Sequence, residues 1–187
     1  MLYNFTPYCP KGEGKNLGLY YNKYMELLPN DEDWGILMDH DIMFTTYDWY
    51  NQINDIINKY DGVLEDLGML TVVTNRIGQP NQLINDINLR RSNDIQIHRN
   101  YGQQLYNEKY DKIKIFENKG GLSGLVMIMK KSVWKESGGF MENGILGVDN
   151  NMHSKLINKK KDVYIMEGVY VYHWYRNNNF NDKKHLM

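Results

Sequence analysis

The sequence is poor in cysteine and proline and contains no alanine. Cys9 is the only cysteine among 187 residues. This excludes an internal disulfide framework and a zinc site built from several cysteines, and it fits a reducing compartment. No run of 18 apolar residues occurs, and the N-terminus lacks a basic segment followed by an apolar one. We therefore expect neither a transmembrane segment nor a signal peptide, and a cytoplasmic location.

A large charge of one sign is also missing. The chain has 22 basic and 23 acidic residues, a formal net charge of -1, so bulk electrostatics favour neither nucleic acid nor an anionic membrane as a partner. Hydrophobic residues make up 42% and aromatic residues 13% of the chain, which is typical of a globular protein. The length predicts one domain with a sizeable core. We assign it to residues 1–176, followed by a polar tail, 177–187.

The most informative stretch is residues 34–44, Trp-Gly-Ile-Leu-Met-Asp-His-Asp-Ile-Met-Phe. Its apolar run, residues 36–38, predicts a buried strand that leads directly into Asp39 and Asp41. In an extended segment residues i and i+2 point the same way, so the two carboxylates can converge on one cation. Carboxylate oxygens suit Mg²⁺ or Mn²⁺. The alternative interpretation is an acidic turn at a strand end.

The first part of the chain favours an α/β arrangement. Residues 1–5 predict a strand, and residues 6–14 a loop rich in proline and glycine. Asn16 is the expected N-cap of a helix whose apolar stripe runs from Leu17 to Leu28. The predicted strand at residues 36–38, which leads into Asp39 and Asp41, follows. This order of strand, loop, helix and strand favours parallel strands in one sheet.

The middle of the chain is polar. A β-branched and apolar run, residues 69–74, predicts another strand. Residues 75–118 carry two candidate helices, at 81–89 and 101–110. Long inserts in compact domains are often functional, so this stretch is a candidate variable, acceptor-side insert. A solvated connection without a binding role is the alternative.

The last part of the chain contributes two further candidate site residues. After a predicted strand at 125–129 and a short helix ended by Gly138 and Gly139, Asp149 opens another helix. A carboxylate there is favoured by the helix dipole, so it can be a simple cap. The segments 162–166 and 168–173 alternate like strands. His173 ends the second of these segments, where a histidine can be a satisfied polar group or a ligand.

In this order, the motifs resemble those of nucleotide-sugar glycosyltransferases of the GT-A fold, in particular the large family 2. Residues 15–18, Lys-Asn-Leu-Gly, are similar to the segment before the family's metal-site strand, and residues 36–41 resemble its D-x-D strand. Residues 121–140, ending in Gly-Gly-Phe, are similar to its acceptor-side strand and short helix. Residues 147–149 lie where the family has Glu-Asp, and residues 169–173 resemble its late strand ending in histidine. The resemblance covers about residues 1–44 and 119–176.

The resemblance implies a compact α/β protein with a GT-A, Rossmann-like sheet that is mixed, mostly parallel and flanked by helices. It implies Mn²⁺ or Mg²⁺ as cofactor, a nucleotide-diphosphate sugar as donor, with a UDP-sugar favoured, and inverting transfer to a hydroxyl of a glycan, lipid-linked or protein acceptor. Asp149 would be the catalytic base. The implied metal ligands are Asp39, Asp41 and His173, and the implied donor-binding residues are Pro7, Tyr8, Lys15, Asn16, Asp39 and Gly121.

The sequence also departs from the family's pattern. The first helix and the second, nucleotide-binding strand are compressed or missing, and Val148 stands where the family has glutamate. Two alternatives stay open: an inactive GT-A-like domain that only binds a nucleotide sugar or glycan, and a nucleotidyltransferase. The latter class usually carries a glycine-rich and basic phosphate loop, of which residues 11–15, Lys-Gly-Glu-Gly-Lys, are a faint echo.

Overall fold

The computed structural model describes residues 1–6, 16–117 and 121–174. The strands of these residues are β1 Leu2–Phe5, β2 Trp34–Met38, β3 Ile42–Phe44, β4 Leu67–Thr74, β5 Ile113–Ile115, β6 Val126–Lys130 and β7 Asp162–His173. The helices are α1 Leu17–Leu27, α2 Trp49–Tyr60, α3 Ile87–Arg91, α4 Ile95–Lys109, α5 Lys131–Glu136 and α6 Val148–Asn158, with one 3₁₀ turn, Pro80–Gln82.

The described strands form one seven-stranded sheet in the order β1-β2-β6-β4-β7-β3, with β5 paired to β7. β1 runs parallel to β2, whereas β6 is antiparallel to both β2 and β4, and β3 is antiparallel to β7. Because β2 and β4 both oppose β6, they run in the same direction as each other. The predicted α/β class, with a mixed central sheet flanked by helices, is confirmed. The expectation of mostly parallel strands is wrong for the pairings given above, of which only β1–β2 is parallel.

The chain divides into two compact units. The first comprises Met1–His40, Leu64–Thr71 and Asn118–Tyr164, and the second comprises Asp41–Val63, Val72–Glu117 and Ile165–Met187. The expectation of a single domain over residues 1–176 stays a prediction.

In the first unit, α1 is anchored at both its start and its middle. The Asn16 side chain accepts a hydrogen bond from the Leu19 amide at 3.1 Å, so the predicted N-cap is confirmed. The buried Asn22 binds both the amide and the carbonyl of Phe140 through its side chain. These bonds tie α1 to the segment that leads into α6. The predicted apolar stripe is correct for Leu28, which is buried, but wrong for Leu27, which is 69% exposed.

The second unit has its own apolar cluster and a different helix pattern from the one expected. Ile84, Leu89, Leu105 and Tyr170 pack together. The predicted helix at 81–89 is wrong, because Asp86 caps α3 only at residue 87 through bonds to the Asn88 and Leu89 amides. The helix predicted at 101–110 is confirmed, but it begins at Ile95, where Asp94 provides the cap. These capping aspartates set the starts of both helices.

Candidate metal centre and adjoining cavity

The backbone around the acidic motif is fixed on both sides. The Asp39 amide donates to the Leu125 carbonyl at 2.9 Å, and the Asp41 carbonyl accepts from the Trp174 amide at 2.9 Å. β3 starts immediately after Asp41 and pairs Ile42 with His173. The half-buried Asp41 side chain is therefore brought beside the last residue of β7 by strand register.

His173 is held in an orientation that suits a metal ligand. It is 4% exposed, its amide donates to Asn75 Oδ1 at 2.8 Å, and its Nδ1 lies 2.6 Å from the Arg76 carbonyl oxygen. Because a carbonyl oxygen can only accept, we assign a proton to Nδ1, and in the neutral ring the lone pair then lies on Nε2. Nε2 faces Asp41 Oδ1 at 3.4 Å. A histidine ligand whose other ring nitrogen donates to a backbone carbonyl is the usual arrangement at metal sites.

The predicted metal ligands come together. One ligand atom from each of Asp39, Asp41 and His173 lies within 4.8 Å of the other two. Ligand atoms that share one cation at about 2.1 Å lie no more than about 4.2 Å apart, so a group within 4.8 Å is close to the separations that one ion requires. Two carboxylates and an imidazole fit Mn²⁺ or Mg²⁺. The acidic turn beside a hydrogen-bonded histidine stays the alternative interpretation.

A cavity of about 210 Å³ lies in the first unit, and two of the predicted site carboxylates line it. These are Asp39 and Asp149. Tyr21, Ser123 and Gly124 contribute further polar groups, and the remaining lining residues are Leu17, Met127, Ile145, Leu146, Gly147 and Val148. This volume is below the roughly 300–1,000 Å³ of pockets for drug-sized ligands. The cavity therefore fits one small polar group rather than a whole nucleotide sugar.

Asp149 lies in the first turn of α6, which begins after Gly147 in a left-handed conformation (φ 77°). Its Oδ1 accepts from the Asn150 amide at 2.8 Å, and its Oδ2 accepts from the Gly124 amide at 2.9 Å. The Gly124 bond joins α6 to the segment before β6, which a simple helix cap does not require. Both oxygens keep a second lone pair, so the carboxylate is oriented and can still accept a proton.

Two glycines beside Asp149 allow close packing. A Cβ on Gly124 would lie 2.9 Å from Asp149 Cβ and 3.3 Å from its Oδ2. A Cβ on Gly121 would lie 1.7 Å from Asn150 Oδ1. Gly121 thus packs against the residue after Asp149 and is not among the residues that line the cavity, so its donor-binding role stays a prediction.

The other predicted donor-binding residues are not brought to the cavity by any described contact. Asn16 caps α1, and its side-chain amide donates to the Glu142 carbonyl at 3.2 Å. Its donor-binding role stays a prediction. Pro7, Tyr8 and Lys15 lie outside the described residues, as does the tail at 177–187.

Tyr21 is a site residue that the sequence did not reveal. It was assigned to the apolar stripe of α1, and it is indeed 1% exposed, yet it lines the cavity together with Asp39 and Asp149. Burial raises the pKa of its phenol well above the usual value, and the Asp39 and Asp149 carboxylates add to the rise. The phenol is therefore a neutral group in the same cavity lining as two carboxylates.

Asn75 and Arg76 were also missed. They follow β4 directly and hold His173 through the Asn75 side chain and the Arg76 carbonyl. The guanidinium of Arg76 is buried and donates to the carbonyls of Arg90, Arg91 and Ser92 at the end of α3. The only sequence signal for their contacts to His173 was their position, as two polar residues directly after the strand predicted at 69–74.

Within the described ranges, no helix is both long and apolar enough to cross a membrane. No protein-family model and no curated protein matches the sequence. The resemblance to family 2 glycosyltransferases therefore stays a prediction from the sequence motifs.

Proposed function

We propose that this protein is a divalent-metal-dependent glycosyltransferase that uses a nucleotide-diphosphate sugar, with a UDP-sugar favoured, and that it resembles the GT-A enzymes of family 2. One observation carries the proposal. Asp39 belongs to the group of three potential metal ligands and also lines the cavity that contains Asp149. A cation and a base would thus be adjacent to the same small polar ligand, as transfer from a diphosphate leaving group requires.

Asp39, Asp41 and His173 would hold the proposed cation. When bound, Mn²⁺ or Mg²⁺ supplies Lewis-acid neutralisation of the charge on the departing diphosphate. The Arg76 carbonyl faces Nδ1 and orients the ring so that Nε2 points toward Asp41, while Asn75 binds the His173 backbone amide.

Asp149 is the proposed general base. The oxygen of the acceptor hydroxyl bonds to the anomeric carbon, the bond from that carbon to the diphosphate oxygen breaks, and its electron pair leaves with the diphosphate. The hydroxyl proton passes to Asp149, whose oxygens are oriented by the Gly124 and Asn150 amides. Attack from the face opposite the leaving group inverts the anomeric carbon. The acceptor is a glycan, a lipid-linked molecule or a protein.

A domain that binds a nucleotide sugar without turnover is a second candidate, and one observation favours it. Val148 stands where the resembled family has glutamate, and it is apolar and 1% exposed. It offers no carboxylate beside Asp149.

The test is release of UDP from UDP-sugars in the presence of Mn²⁺, with and without a panel of acceptors, for the wild type and Asp149→Asn. The proposal expects slow hydrolysis by the wild type and at least a 100-fold lower rate for the variant, within the range for loss of a general base. Mn²⁺-dependent donor binding without any release would favour the binding domain. Equal rates for both proteins would contradict the role of Asp149.

A further inference from the structure

One loop of the first unit carries a dipeptide that is reactive without any cofactor. Asn143 is followed by Gly144, and no other asparagine of the sequence precedes a glycine. The side-chain carbonyl carbon of an asparagine can close a succinimide ring with the backbone nitrogen of the next residue. Glycine has no side chain that hinders this approach, and it restricts the backbone least. The sequence therefore distinguishes Asn143 from the other asparagines.

The structure places this dipeptide on the surface. Asn143 is exposed and lies in the segment between α5 and α6. Gly144 has a left-handed conformation (φ 92°), and a Cβ built on it would meet no atom within 4 Å. Ring closure requires the Asn143 side chain to rotate toward the Gly144 nitrogen, and exposed side chains rotate on the picosecond-to-nanosecond timescale. The geometry therefore leaves this rotation unhindered.

The backbone on both sides of Asn143 is bound to the start of α1. The Glu142 carbonyl accepts from Asn16 Nδ2 at 3.2 Å, and the Gly144 carbonyl accepts from the Leu17 amide at 3.0 Å. These two bonds fix the separation of the two carbonyls. A main chain that became longer at Asn143 could not keep both bonds in their present geometry.

From this arrangement we propose that Asn143 is a modification site, at which the chain deamidates spontaneously and forms isoaspartate. The Gly144 nitrogen attacks Asn143 Cγ and forms the new C–N bond. The bond from Cγ to the side-chain nitrogen breaks, and this nitrogen leaves as ammonia with the electron pair and with the proton that the Gly144 nitrogen loses. Water is the only co-reactant, and it opens the succinimide in the second step. The inference does not depend on the proposed function.

The two ways of opening the ring give different products. Water that attacks Cγ breaks the bond from Cγ to the Gly144 nitrogen and yields aspartate, with the main chain unchanged. Water that attacks the main-chain carbonyl carbon of Asn143 yields isoaspartate, in which Cβ has become part of the main chain. Both products add a negative charge, but only isoaspartate lengthens the backbone between the two bonds to α1. The altered segment continues into residues 145–147, which line the cavity next to Asp149.

The first experiment incubates the wild-type protein at mildly alkaline and at mildly acidic pH and follows each asparagine by peptide mass spectrometry. Isoaspartate is identified by labelling with an isoaspartate-specific methyltransferase. Asn107 is the internal control, because it is also exposed but lies within α4. We expect deamidation at Asn143 to be at least about tenfold faster than at Asn107, since the helix holds the backbone of the control in place, and faster at alkaline pH. Equal rates at the two positions, or an unmodified Asn143, would overturn the inference.

The second experiment tests the structural consequence by hydrogen exchange at the Leu17 amide, which is bound to the Gly144 carbonyl. The samples are fresh and incubated wild type, freshly purified Asn143→Asp, which has the charge without the longer backbone, and incubated Asn143→Gln, which lacks the reactive dipeptide. We expect exchange at least about tenfold faster only in the isoaspartate form of the wild type. Unchanged exchange in that form, or equally fast exchange in Asn143→Asp, would refute the effect of backbone lengthening. Thermal melts establish that both variants fold.

Discussion

Replacing Asn22 by alanine should destabilise the protein strongly, because this side chain connects three segments of the first unit. Its Nδ2 donates to the Phe140 carbonyl at 3.0 Å and to Glu142 Oε1 at 2.8 Å, and its Oδ1 accepts from the Phe140 amide at 2.7 Å and from Trp134 Nε1 at 2.9 Å. All four hydrogen-bonding positions of the amide group are thus used.

The magnitude follows from the groups that the substitution leaves behind. The Phe140 amide, the Phe140 carbonyl and Trp134 Nε1 make buried bonds to Asn22, and each orphaned buried group costs about 1–3 kcal/mol. Water entering the vacated space would recover part of this, so we expect a loss of about 3–5 kcal/mol in the free energy of unfolding. In a chain of this size that corresponds to a fall of about 6–20 °C in Tm.

The assay is thermal and urea unfolding followed by circular dichroism. Asn58→Ala is the control, because Asn58 is exposed on α2 and its replacement should change stability by less than about 0.5 kcal/mol. A fall in Tm of less than about 3 °C for Asn22→Ala would contradict the description of Asn22 as a buried, fully bonded link.

Two further predictions concern pH and the base. Burial lowers the pKa of His98, so the unfolded state gains a proton first as pH falls below about 6.5, and the free energy of unfolding should decrease there by up to about 1.4 kcal/mol per pH unit. His98→Gln should flatten this pH dependence in urea melts. An unchanged slope would contradict the role of His98. Gly124→Ala keeps the amide but places a methyl group 2.9 Å from Asp149 Cβ. It should therefore lower the rate of donor hydrolysis at least about tenfold while leaving Mn²⁺-dependent UDP binding unchanged. The control is Gly78→Ala, whose added methyl group meets no atom within 4 Å and which should retain full activity. Equal rates for the two variants would refute the argument that Gly124 orients Asp149.

Much of the fold could be predicted because its signals are local. The strand at 36–38 followed by two carboxylates, the cap at Asn16 and the helix with Asp149 in its first turn each depend on a few neighbouring residues. The helix predicted at 81–89 was wrong because the local signal there is weak. A polar stretch with scattered isoleucines has no strong period, and the Asp86 cap decides the outcome.

The site was predictable only in part because its remaining contacts are distant in sequence. Strand register brings His173 to Asp41, and the segment after β4 supplies Asn75 and Arg76. Tyr21 lies on an apolar helix face, and only the packed structure shows that this face borders a cavity with two carboxylates. Periodicity assigns a tyrosine to the interior but does not indicate what its hydroxyl meets.

The central claim is that Asp39, Asp41 and His173 hold a divalent cation that a nucleotide diphosphate shares. The most direct test is a thermal-shift measurement of UDP binding with and without Mn²⁺ for the wild type, Asp41→Ala and the surface control Asp31→Ala. UDP at 100 times its dissociation constant stabilises the folded protein by about 2.7 kcal/mol, which corresponds to a rise of about 5–11 °C in Tm. We predict this rise for the wild type and Asp31→Ala only with Mn²⁺, and its loss in Asp41→Ala. A UDP shift that is independent of Mn²⁺, or one that survives in Asp41→Ala, would contradict the metal centre.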